Sequence, residues 1–178
     1  YYCGNGADML VRRLLIDAGD KELVHYEEAR ELYRKEFDKN PFYKIQHYPG
    51  MPEILTELKK RGVKLGVCSN KPHEAALKVV ERMFGNGIFD AVMGQSESVR
   101  KKPAPDGPLK IAEQFGVSPK ECMYMGDSGT DMQTGQAAGM YTVGVLWGYR
   151  DKEELLENGA DELADSSEDI LDIFEDKK

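Results

Sequence analysis

Between residue 6 and about residue 45 the apolar positions recur at helical spacing. Met9, Leu10 and Leu14, with Asp17 in register, form one stripe, and Leu23, Tyr26, Ala29, Tyr33 and Phe37 form a second. Asn40-Pro41 should end this region, because proline disfavours helical backbone in the residue before it. Tyr48-Pro49-Gly50-Met51-Pro52 then reads as a turn opening a new unit.

Beyond that turn the pattern changes. Short apolar runs at 63–68, 88–93, 122–125 and 141–146 predict strands, and amphipathic stretches near 51–61, 73–84, 105–115 and 131–138 predict helices between them. Strict alternation implies right-handed crossovers and a parallel sheet covered by helices on both faces. Gly62, Gly116 and Gly139 fall where helix C-caps are expected, and the acidic stretch from Asp165 to Asp176 predicts a solvated final helix. The fold class is α/β, in three layers, with a small all-helical domain at 1–47 and the α/β core at 48–178.

Composition narrows the function more than the fold. At 178 residues, 40% hydrophobic and 31% charged, the chain can bury an ordinary core. A net charge of -8 argues against a nucleic-acid or anionic-membrane surface, either of which needs a basic stripe. A small phosphorylated metabolite remains compatible, since a few local donors outweigh a distant mean field. No apolar run approaches the ~20 residues that span a membrane, and no secretory signal pattern opens the chain. Cys3, Cys68 and Cys122 are odd in number and widely spaced, which favours packing thiols in a reducing cytoplasm over disulfides. Because the chain opens on Tyr1-Tyr2-Cys3, we expect it to be a piece of something longer.

In open α/β sheets ligands bind beyond the carboxyl ends of the strands. After 63–68 comes Ser69-Asn70-Lys71-Pro72, whose hydroxyl and backbone amides ahead of a helix suit an anion. Alone, Ser69 would be an ordinary helix cap. After 88–93 the chain reaches Arg100-Lys101-Lys102-Pro103-Ala104-Pro105-Asp106, which alone would be a solvated basic turn. After 122–125 comes Gly126-Asp127-Ser128-Gly129-Thr130-Asp131. A helix starting near Ser128 would set both aspartates over one edge of the sheet, where two close carboxylates favour a shared hard cation such as magnesium. The plainer reading is a Gly-Asp turn with a capping aspartate. An anion cradle, a lysine and a carboxylate pair on one rim are the inventory of phosphoryl transfer.

These segments resemble the haloacid dehalogenase superfamily of phosphatases, in particular its phosphoglycolate-phosphatase-like group. Val67-Cys68-Ser69-Asn70-Lys71-Pro72 resembles the second motif of that family, Lys102-Pro103-Ala104-Pro105 the third, and Gly126 to Asp131 the acidic fourth. The resemblance extends to Tyr48-Pro49-Gly50-Met51, Ala138-Gly139-Met140 and Val145-Leu146-Trp147-Gly148-Tyr149. Gly4-Asn5-Gly6-Ala7 with Leu10-Val11-Arg12-Arg13 is similar to the start of the helical cap. By resemblance Ser69, Lys102 and Asp127 are catalytic, Asp127 and Asp131 hold Mg2+, and Ser69, Asn70, Lys102, Gly4, Asn5 and Gly6 face the substrate.

One departure stands out. The first motif of the family, Asp-x-Asp-Gly-Thr, is absent, and no Asp-x-Asp occurs anywhere in the sequence. In the family its first aspartate attacks phosphorus and its second is the general acid and base. We therefore expect the chain as it stands to be inactive and the nucleophile to lie upstream of Tyr1. In that fold the missing strand lies between the strands expected at 63–68 and 122–125, so its removal would leave a gap of roughly 10 Å.

The implied activity is a magnesium-dependent phosphatase of a small phosphomonoester, phosphoglycolate-like, acting through an aspartyl-phosphate as a monomer or homodimer. A phosphosugar mutase or pyrophosphatase shares these motifs, and a non-catalytic phosphate- or metal-binding module is the alternative outside the enzymes. A receiver-type signalling domain fits neither the helical insertion nor the acidic spacing. Arg12, Arg13 and Lys44 could meet a substrate carboxylate, though solvated positions suit them better. His25, His47 and His73 lack metal-ligand spacing. Trp147, Met83, Met93, Met123 and Met125 read as packing.

Overall fold

The computed structural model describes residues 6–40 and 42–177. Its internal contacts divide the chain into two compact units, Tyr1–Ile45 and Gln46–Lys178.

The first unit is a helix pair, α1 (Ala7–Asp17) and α2 (Tyr26–Lys39). Asp8 joins them, its carboxylate accepting the Tyr26 hydroxyl at 3.1 Å and Arg30 Nε at 2.9 Å. The Arg12 guanidinium lies 4.1 Å from the centre of the Tyr26 ring. The second helix begins later than its apolar stripe. Asp20 accepts the backbone N–H groups of Val24 and His25, and Leu23 takes a φ of 56°. That side-chain turn supplies local partners that a helix would have to supply otherwise, so Leu23 drops out of it.

The second unit contains α3 (Met51–Lys60), β1 (Gly66–Pro72), α4 (His73–Phe84), β2 (Ala91–Gln95) and α5 (Asp106–Phe115). A short 3-10 turn, Pro119–Glu121, leads to β3 (Met123–Gly126), α6 (Gly129–Ala138), β4 (Tyr141–Val145), α7 (Lys152–Glu157), β5 (Glu162–Ala164) and α8 (Asp169–Asp176). Every strand pairing is parallel, as alternation with helices demands. The arrangement departs from a single sheet, however. β1 pairs with β2, while β3, β4 and β5 form a second sheet in that order. Between β1 and β3 lies a slot of about 640 Å³, lined by Val67 and Cys68, by Met123 and Met125, and by Ile111 and Phe174 from flanking helices.

Two local differences from the sequence reading have clear causes. β1 runs through Ser69-Asn70-Lys71-Pro72, expected as a loop, because β2 continues beside it, with a register shift between Ser69 and Pro72. Close approach there requires Gly94, since a Cβ at that position would lie 2.6 Å from the His73 backbone and 2.7 Å from the Lys71 carbonyl. The final helix is not simply solvated. Ile170 and Ile173 on its inner face are 2% and 5% exposed and join the core with Ile54, Leu55 and Val143. No helix among the described residues is long and apolar enough to cross a membrane.

Candidate active site

The acidic turn is built by local chemistry. Ser128 caps α6, its hydroxyl accepting the Asp131 N–H and donating to Asp131 Oδ2 at 2.6 Å. The helix therefore starts at Gly129, close to where the sequence placed it. Gly126 has to be small: a Cβ there would lie 2.2 Å from Cβ of Asp131. Asp127, at the strand end, accepts the Tyr149 N–H on Oδ2 at 3.0 Å.

Lys102 reaches the same turn from the loop ahead of α5. Its Nζ lies 2.5 Å from Asp131 Oδ1. The backbone of that lysine is held by Asn70, whose Oδ1 accepts the Lys102 N–H at 2.6 Å and whose Nδ2 donates to the Lys102 carbonyl at 3.4 Å. A second tie steadies the loop. Arg100 donates to both carboxylate oxygens of Asp106, and this bonding draws the Asp106 carboxyl down to about 2.

Asn70 in β1, Lys102 in the loop ahead of α5 and Asp131 in the first turn of α6 thus meet in one bonded chain. Ser69 stands next to Asn70, but it does not cap a helix. Its Oγ accepts the Lys71 N–H at 3.2 Å, and α4 begins only at His73, behind Pro72. Gly6 is the N-cap residue of α1, with a φ of 86° that suits glycine. Gly4 and Asn5 lie outside the described residues. Among those described, no three His, Cys, Asp or Glu side chains are grouped to hold a metal.

The wall of the slot near this turn favours the protonated forms of its thiol and phenol. Burial pushes the Cys68 thiol up, partly offset by the Lys102 charge, and burial lifts the Tyr124 hydroxyl well above its usual range. Lys102 and Asp131 line that slot too. One residue escaped sequence reasoning. Glu154 accepts the Gly129 N–H at 3.1 Å, and its Oε1 lies 3.5 Å from Arg150 Nε. The signal was there, because Asp151 caps α7 by accepting the Glu154 N–H, the spacing of a capping box.

Residues 2–145 match the family model of haloacid dehalogenase-like hydrolases, and the chain belongs to that family. Within it the chain is of the phosphoglycolate-phosphatase-like kind. It is 35% identical over 148 residues to the phosphoglycolate phosphatase of Aquifex aeolicus, covering 83% of this chain and 67% of that one. To the Pseudomonas putida phosphoglycolate phosphatase it is 32% identical over 152 residues, covering 84% and 56%. The chain thus spans only about half to two thirds of those two relatives. A solved Lactobacillus delbrueckii protein, assigned as a phosphoglycolate phosphatase, superposes with a TM-score of 0.87 at 30% identity, covering 97% of this chain and 80% of that one. A predicted phosphoglycolate phosphatase from Haemophilus somnus gives 0.84 at 27%, covering 97% and 79%.

Proposed function

We propose that this protein is a magnesium-dependent phosphatase of a small phosphomonoester of the phosphoglycolate kind, working in the cytoplasm through an aspartyl-phosphate. The supporting observation is the bonded chain Asn70–Lys102–Asp131, which ties the C-terminal half of β1, the loop ahead of α5 and the first turn of α6 together. In this reading the Ser69 hydroxyl and neighbouring amides bind the phosphoryl oxygens. The Lys102 ammonium offsets their charge, held in place by Asn70 and Asp131.

The carboxylates of Asp127 and Asp131 on one strand-to-helix turn are hard oxygen donors and suit magnesium. Asp127 would be the principal ligand, since both oxygens of Asp131 are engaged by Lys102 and Ser128. Bound there, the ion would neutralise charge on the phosphoryl group. We assign the attacking carboxylate to a segment outside these 178 residues, which contain no Asp-x-Asp. The slot between β1 and β3 is the place this reading gives that segment. The helical region 1–47 is assigned as the cap that selects the substrate.

The test is phosphate release from a panel of small phosphate esters, using protein that includes the nucleophile segment. Asp127→Asn should abolish magnesium-dependent turnover while the circular dichroism spectrum is retained. Unchanged turnover in that variant would refute the metal assignment.

A further inference from the structure

The loop after β4 presses on the acidic turn from outside. A Cβ built on Gly148 would lie 2.1 Å from Cβ of Asp127 and 2.5 Å from its Oδ2, so backbone alone fits against that side chain. The next residue donates its N–H to the same oxygen, Tyr149 N to Asp127 Oδ2 at 3.0 Å. One carboxylate oxygen is thereby tied to backbone, and the rotation of the group is set.

The loop is itself anchored at both ends. The Leu146 N–H donates to the Ala164 carbonyl at 3.0 Å, and Trp147 packs against both large core clusters. At the far end Asp151 starts α7, whose Glu154 accepts the N–H of Gly129. The same short stretch of chain therefore contacts the turn on both sides of Ser128, at Asp127 and at Gly129.

We infer that Gly148 and the Tyr149 N–H form a positioning clamp that orients the Asp127 carboxylate for its cation. The inference rests on the proposed magnesium role of Asp127. The clamp works through backbone, because the Tyr149 N–H is the group that donates to Asp127, while the residue as a whole is 58% exposed. It also explains the chemistry of the pair Gly148-Tyr149: the first position admits no side chain, and the second must keep an N–H.

The test is Mn2+ binding to the full chain, followed by electron paramagnetic resonance, in wild type and in Gly148→Ala, Tyr149→Ala and Tyr149→Pro. Gly148→Ala and Tyr149→Pro should each raise the Mn2+ dissociation constant at least tenfold. Tyr149→Ala, which keeps the N–H, should bind within twofold of wild type. If Gly148→Ala fails to fold, the contrast between the two Tyr149 variants decides. Binding within twofold in Gly148→Ala and Tyr149→Pro overturns the clamp, and so does an equal loss in Tyr149→Ala. A separate readout needs no metal: the Tyr149 amide proton should shift upfield in Asp127→Asn, and an unmoved resonance overturns the clamp as well. Wild type that binds no Mn2+ while the amide still responds would sink the magnesium reading, and with it the orientation for a cation.

Discussion

The ammonium of Lys102 lies 2.5 Å from Oδ1 of Asp131, and the two side chains are only 16% and 8% exposed. Such a pair is not a large net source of stability, because desolvation offsets most of the attraction. Its value is positional: it joins a loop ahead of α5 to the first turn of α6.

Removing only the lysine should therefore be costly. Lys102→Met leaves the Asp131 charge buried with Ser128 as its remaining side-chain donor, and we expect a loss of about 3 kcal/mol in urea denaturation at neutral pH. The double variant Lys102→Met with Asp131→Leu should recover much of that loss. If both variants melt alike, the pair does not carry the coupling described.

Asn70 should matter through the lysine's backbone and not through its own exposure. Asn70→Ala removes an acceptor at 2.6 Å from the Lys102 N–H, leaving that donor unpaired in a part-buried place. We expect about 1–2 kcal/mol of destabilisation, together with faster amide exchange at Lys102. Unchanged exchange would contradict the clasp.

Acid should loosen the loop bearing Lys102. The Asp106 carboxyl titrates near 2 in the folded chain against an ordinary 3.8, lowered chiefly by hydrogen bonding to Arg100. A depressed carboxylate contributes stability that is present above its unfolded value and fades as pH falls through the folded one. Melting temperature followed from pH 5 to pH 2 should show this contribution vanish across about 4 to 2. In Asp106→Asn that component should be missing throughout, and a pH profile identical to wild type would count against the tie.

Gly135 tests packing against propensity. Alanine there should favour the helix by up to about 1 kcal/mol. A Cβ, however, would lie 2.4 Å from the Thr142 methyl and 3.0 Å from Tyr124 Cβ, and such overpacking costs about 1–3 kcal/mol. We expect packing to win, so Gly135→Ala should lower the melting temperature. A rise would show that β3 and β4 yield more easily than their close contacts suggest.

Much of this was legible along the chain. Helix α4 occupies the 73–84 stretch its amphipathic pattern marked, and Gly116 and Gly139 cap α5 and α6 in the left-handed conformation. Helix α7, with six residues, and strand β5, with three, were not legible. Segments so short show fewer than two full periods of either pattern. The burial of Ile170 and Ile173 was hidden by the acidic residues that share their helix.

Taken by itself, the sequence determined the alternation of strands and helices, the helical start of the chain, and the polar segments at Lys102 and at Asp127 to Asp131 that follow strands. Ser69 to Pro72, by contrast, proved to be part of β1. Periodicity and turn chemistry are local, so they can be read from neighbours a few residues apart. Tertiary structure alone decided that Asn70 holds Lys102, that Lys102 holds Asp131, and that Tyr149 donates to Asp127. Those bonds join residues 22 to 32 positions apart. They exist only once the strands have paired and packing has brought separate segments to the same rim.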